Sequence, residues 1–146
     1  MKITVLAAIS LATAATALPL AQTAHADSTE FQSPSGNIQC SMRSGDSGCD
    51  IDDYTFAPPI TAITPSCSGA MLVVRFEVAQ GHPAGAACHP GGPFSDLHAP
   101  GLATLDYGQT RSVGAFTCDS EFSGMTCTDT STGHFFTVSR GAYQLG

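Results

Sequence analysis

The sequence predicts an all-β domain: a small, disulfide-stabilised set of antiparallel strands, barrel- or sandwich-like, with long loops. Three observations carry this expectation. The 15 glycines and 9 prolines of the 146-residue chain interrupt it every few positions and leave little helical periodicity beyond the N-terminal segment. "LVVRFEV" sets Leu72, Val74, Phe76 and Val78 against Val73, Arg75 and Glu77, the period of two of a half-buried strand. Six cysteines include two pairs with the same C-x8-C spacing, Cys40–Cys49 and Cys118–Cys127, each enclosing a turn-rich stretch.

Along the chain, residues 1–26 read as a signal peptide. Lys2 supplies the positive start, "ITVLAAISLATAATALPLA" the apolar stretch, and "AHA" at Ala24–Ala26 a small-x-small cleavage site. A retained anchor is the alternative, but the stretch is rich in Ala and Thr and no basic residue follows it. The remainder, 27–146, is expected to form one exported domain of about 120 residues with a modest core.

"PSGN" at Pro34–Asn37 is a turn, with Pro suited to the first central position and Gly or Asn tolerant of positive φ. "NIQC" and "CDI" flank "SMRSGDSG" as the arms of a hairpin. "TFAPPITAITPSC" is proline-rich and expected to be extended at an edge or crossing between sheets. After "LVVRFEV", residues Gly81–Pro100 are expected to be a Pro/Gly-rich loop. "VGAFTC", "GMTCTD" and "HFFTVSR" then follow at hairpin spacing, and "AYQL" is a short final strand.

An even cysteine count in an exported chain reads as a disulfide framework. Six cysteines allow 15 pairings. Spacing favours cross-strand bridges Cys40–Cys49 and Cys118–Cys127, which leaves Cys67–Cys88. Each short loop so closed contributes about 2–3 kcal/mol by restricting the unfolded chain. Zinc motifs place cysteines two to four residues apart, far closer than here, so no metal or other cofactor is expected.

Charge narrows the functional classes. Beyond Lys2 the chain has four arginines, at 43, 75, 111 and 140, no lysine, and all 12 acidic residues, a net charge of −8. A nucleic-acid binder needs a basic footprint to release counterions, so nucleic acid is excluded as a partner. Anionic membrane surfaces are disfavoured for the same reason, and no segment after the signal is long enough to span a bilayer. The exported domain is expected to be a monomer.

Few residues suggest chemistry. His82, His89 and His98 crowd one stretch, but no H-x-H or H-x-x-x-H element presets two ligands, so they read as exposed loop histidines. "DIDD" at Asp50–Asp53 lacks the central Gly and terminal Glu of a calcium loop; it reads as a solvated strand end with nothing basic nearby. There is no G-x-S-x-G elbow and no free cysteine for a Cys–His pair. His134, in "TSTGHFFTVSR", is the histidine least easily set aside. It either bonds the adjacent turn or lines a pocket.

In this order, "FQSPSGNIQC", "CDI", a cysteine pair followed by "LDYG", "GAFTCDSEFSGMTC" and "TGHFFTVSRGAYQL" resemble an uncharacterised domain of small secreted, cysteine-containing proteins of mycobacteria, other actinobacteria and proteobacteria. The resemblance runs from Phe31 to Leu145. It implies an exported, disulfide-stabilised, mainly β domain and no transferable activity. The chain departs from the family's frequent pattern at Phe135, where a glycine often follows the histidine, and matches poorly over Ala79–Pro100 apart from Cys88.

The leading functional expectation is a non-enzymatic exported protein that binds an envelope or extracellular partner through loops on a stapled scaffold. The alternatives are an extracellular hydrolase using His134 with a nearby acid, and a protease-inhibitor-like module presenting Gly81–Pro100.

Overall fold

The computed structural model describes residues 28–59, 73–89 and 101–146. The expected signal peptide at 1–26, Cys67 and His98 lie outside these residues, as does most of the proline-rich stretch. Among the described residues the fold is all-β, with no helix.

Two sheets face each other. The first contains β1 (Ser28–Gln32), β2 (Ile38–Arg43), β3 (Asp46–Ile51), β4 (Val73–Ala79), β5 (Gly85–His89) and β6 (Ala103–Thr104), in the order β5-β4-β3-β2-β1-β6. The second contains β7 (Thr110–Val113), β8 (Phe116–Glu121), β9 (Gly124–Asp129), β10 (Phe135–Val138) and β11 (Tyr143–Leu145), in the order β11-β10-β9-β8-β7. Neighbours pair antiparallel except β1 and β6, which run parallel over two residues. The sheets stay separate, so the architecture is sandwich-like, with β4 against β9 and β10, and β2 against β7.

Period-two alternation fills the space between them. Val74, Phe76 and Val78 of β4 point inward, as that strand's pattern predicts, and meet Phe136 and Val138 of β10. Phe116 and Cys118 of β8 and Met125 and Cys127 of β9 complete the second sheet's inner face. Phe56 and Tyr143 extend the core sideways: Phe56 lies 5.2 Å from Tyr143 and 6.0 Å from Phe76, centroid to centroid.

Both C-x8-C hairpins form as expected. Cys40 pairs directly opposite Cys49, and Cys118 opposite Cys127, with Cα–Cα distances of 4.0 and 4.1 Å. The two bridges meet across the core, with Cys49 Sγ 3.6 Å from Cys127 Sγ. This is sulfur–sulfur packing, since neither atom carries a hydrogen, and it makes each staple part of the other's hydrophobic surroundings. The grouping of Cys40, Cys49 and Cys127 sulfurs follows from these bonds. Cys88 is also disulfide-bonded; its expected partner, Cys67, is outside the described residues.

Four sequence expectations need correction. Gly81–Pro100 is not loop throughout: Gly85–His89 is a strand, because pairing with the exposed edge of β4 outweighs the weak strand preference of "GAACH". "VGAFTC" is not one strand. Val113 ends β7, Gly114 turns the chain at φ +57°, and Phe116 begins β8. Ser28–Gln32, with only Phe31 to bury, carries too short a pattern to announce a strand, yet it pairs with β2 from Gln39 to Arg43.

The fourth concerns "DIDD". Asp50 is buried, not solvated, because β3–β4 register sets it opposite Arg75. The Arg75 guanidinium donates to both Asp50 oxygens at 3.4 Å and to Ser41 Oγ at 2.9 Å. Gly48 permits this, since a Cβ there would lie 2.6 Å from an Arg75 nitrogen.

Candidate functional site

The two ends of the sandwich are built differently. At one end, Asp129 closes β9 with a buried carboxylate. It accepts hydrogen bonds from the Gly81 amide at 2.8 Å, from the Ser131 amide at 2.9 Å and hydroxyl at 2.5 Å, and from Thr132 Oγ1 at 3.0 Å. The bond from Gly81 joins the two sheets, because Gly81 belongs to the β4–β5 turn. These donors, Gly81 first and then Ser131, outweigh desolvation and hold the carboxyl well below the usual carboxylate range.

His134 sits at this closed end. Its backbone carbonyl accepts from the Asp129 amide at 2.8 Å and its amide donates to Thr132 Oγ1 at 3.3 Å. The residue is half-buried and lines neither cleft described below. His82 is exposed in the turn that carries Gly81. The histidines with described side chains therefore flank a structural turn.

At the opposite end the space between the sheets opens into a cleft of about 370 Å³. Its floor is made by Ile38, Ser120 and Met125, from β2, β8 and β9. Ser120 is 1% exposed and is the polar member of this floor.

The rim is formed by turns. Pro34 and Ser35 lie inside a turn closed by the Gly36 amide on the Ser33 carbonyl at 2.9 Å, as the "PSGN" motif predicts. Asn37 clamps the chain after β3: its Nδ2 donates to the Asp53 carbonyl at 2.9 Å, and its Oδ1 accepts from the Asp53 amide at 2.7 Å. Asp53 in turn accepts from Arg140 Nε at 2.7 Å. Both charged side chains are more than half exposed, so the pair positions the rim more than it stabilises the fold.

Facing these polar turns stand two aromatic rings. Tyr107 is the first central residue of a turn in which Gly108, at φ +80°, takes the left-handed position and the Gln109 amide bonds the Asp106 carbonyl at 3.0 Å. The Gly108 amide anchors that turn to the Ser120 carbonyl at 2.7 Å. Phe122 lies at the two-residue tip of the β8–β9 hairpin, four positions beyond Cys118. The rings meet edge to face, 5.3 Å apart. Phe122 is 88% exposed and Tyr107 46%, the large apolar side chains left exposed among the described residues. Full burial of a phenylalanine side chain is worth about 1.5–3 kcal/mol. Folding leaves nearly all of that unrealised at Phe122, and a partner could recover it.

A second, wider cleft lies on the outer face of the first sheet, bordered by Glu30, Ser41, Arg43, Asp46 and Glu77. Arg75 lies in it, already engaged by Asp50, Ser41 and Glu77. The end cleft is the better candidate because it borders the Tyr107–Phe122 pair, an apolar surface that folding leaves unused.

The sequence named His134 as the residue to test; the geometry brings forward Tyr107, Ser120 and Phe122. A local signal for two of these exists, since "LDYG" and "EFSG" place an aromatic ring in tight turns where polar residues are usual. No protein-family model, curated protein or solved structure matches this chain.

Proposed function

We propose that this chain is an exported, non-enzymatic binding protein that acts at the cell envelope or outside the cell, with the open end of the sandwich as its binding surface. The observation that carries this reading is the Tyr107–Phe122 pair, held on two hydrogen-bonded turns and left exposed beside a polar cleft. Three further features support it. The N-terminal segment reads as a signal peptide. The disulfides suit an oxidising compartment. The resemblance to small secreted domains agrees with both. His134, the candidate for a hydrolase, belongs to the closed end, and the loop that an inhibitor would present is interrupted by β5.

The test is co-sedimentation of the purified protein with isolated envelopes of the native host. Retention that falls at least tenfold in Phe122→Ala, with thermal stability unchanged, is the expected result. No retention, or equal retention of Phe122→Ala, contradicts the proposal.

A further inference from the structure

Resting on that reading of the open end, we infer that the cleft takes an uncharged carbohydrate, a pyranose oligosaccharide or the exposed end of a neutral polysaccharide. Four observations point to this class rather than to a peptide, an anionic polymer or a lipid surface.

The first is the amphipathic platform. A pyranose presents a face of C–H bonds and a rim of hydroxyls. The electron-rich faces of Tyr107 and Phe122 attract the weakly positive C–H bonds. The cleft's polar lining includes the hydroxyls of Ser33, Ser35 and Ser139, which also bond each other or nearby backbone, and the carboxylates of Asp53 and Glu121. A rim of this kind can exchange hydrogen bonds with a polyol at many angles, which a purely apolar groove cannot.

The second is the floor. Ser120 is almost fully buried and lines the cleft, to which it offers a hydroxyl. A hydroxyl that both donates and accepts is matched by another hydroxyl, and a sugar supplies one.

The third concerns the main chain. A peptide that recognises a β protein usually adds to a strand edge through backbone hydrogen bonds. Here the walls are turns, and five of their amides are already engaged. The amides of Ser33, Gly36, Asp53, Gly108 and Ser139 bond Ile38 O, Ser33 O, Asn37 Oδ1, Ser120 O and Ala142 O. The side chains present ring surface and serine hydroxyls, which both donate and accept and so keep bonding capacity beside their internal bonds.

The fourth is charge. Arg140, the cleft's cation, is tied to Asp53 at 2.7 Å, and Glu121 adds a negative charge. An anionic polysaccharide or lipid headgroup would meet net repulsion, which the acidic chain as a whole reinforces. A neutral sugar does not.

The experiment uses a panel of immobilised neutral pyranose oligosaccharides, such as β-1,4- and α-1,4-glucans and α-1,6-mannans, with sulfated and uronic-acid oligosaccharides as anionic controls. The expected result is binding to one or more neutral members and none to the anionic set. Affinity should weaken at least tenfold in Phe122→Ala and in Tyr107→Ala, and severalfold in Ser120→Ala, while His134→Ala binds as the parent does. Circular dichroism and thermal melts establish that each variant is folded. Tyr107→Phe supplies a second variant that keeps the ring; it should retain binding to within about threefold if stacking is the main contact.

Absence of binding to every neutral member at millimolar ligand overturns the carbohydrate assignment, as does binding that Phe122→Ala and Tyr107→Ala leave intact. A displayed random-peptide library separates this failure from that of the binding-surface reading. Peptides whose capture depends on Phe122 would overturn the sugar and keep the surface. Envelope retention indifferent to Phe122 and Tyr107 would overturn both.

Discussion

The two ends of this sandwich are made from similar materials and finished in opposite ways. Each has an inward-facing polar residue on the second sheet, Asp129 at one end and Ser120 at the other. Asp129 is surrounded by donors from both sheets and tied off completely. Ser120 is almost as buried and lines the open cleft. Around Asp129 the turn residues are small and polar; around Ser120 the chain projects Tyr107 and Phe122 into solvent. The difference separates an end that polar contacts close from one left open beside exposed rings. Burial of the polar residue alone does not distinguish them; what surrounds it does.

This contrast breaks most visibly at Asp129. Asp129→Ala removes acceptors for the Gly81 and Ser131 amides inside the fold, and it should lower Tm on the order of 10 °C without affecting ligand binding at the far end. The same carboxylate gives a signed pH dependence. Its folded pKa is depressed, so its contribution is present above the ordinary unfolded value near 4 and is lost as pH falls below it. Thermal melts between pH 7 and pH 2 should show a steep acid-side decline in the parent protein and a shallower one in Asp129→Ala. A parallel decline in both would mean that Asp129 does not close its end.

At the open end, the larger structural effect is expected at Gly124, beside Phe122. Its φ is +145°, and a Cβ there would come within 2.6 Å of the Val138 carbonyl oxygen. Gly124→Ala should therefore cost about 1–3 kcal/mol in a denaturant titration. Arg140→Ala should cost no more than about 1 kcal/mol, since its pair with Asp53 is exposed and screened. Phe122→Ala should change stability least, within about 0.5 kcal/mol, because the ring is nearly all in solvent. A large loss of stability in Phe122→Ala would assign the ring a structural role and erase the contrast between the ends.

Much of the scaffold is legible in the sequence because local rules agree. Equal C-x8-C spacing around turn residues predicts two disulfide-closed hairpins, and both form in that register. "LVVRFEV" alternates, and from Val73 onward it forms β4. The features that escape are those created by pairing between distant segments. Asp50 and Arg75 are 25 residues apart and become partners only through β3–β4 register. Gly85–His89 lacks strand formers, and only the edge of β4 makes it a strand. Tyr107 and Ser120 likewise become neighbours when the Gly108 amide bonds the Ser120 carbonyl. The crowding of histidines between Gly81 and His98 is conspicuous in one dimension; in three, His82 and His134 flank the turns around Asp129 instead of the cleft.

The most direct test of the contrast is an amide chemical-shift titration of the isotopically labelled protein with soluble envelope polysaccharide fragments from the native host. The account predicts saturable shifts confined to the open end, at Ser33–Asn37, Tyr107–Gly108, Ser120–Gly124 and Ser139–Arg140. Gly81 and Asp129–His134 should not move. Shifts centred on Asp129 and His134, or no shifts anywhere at saturating fragment, would contradict it.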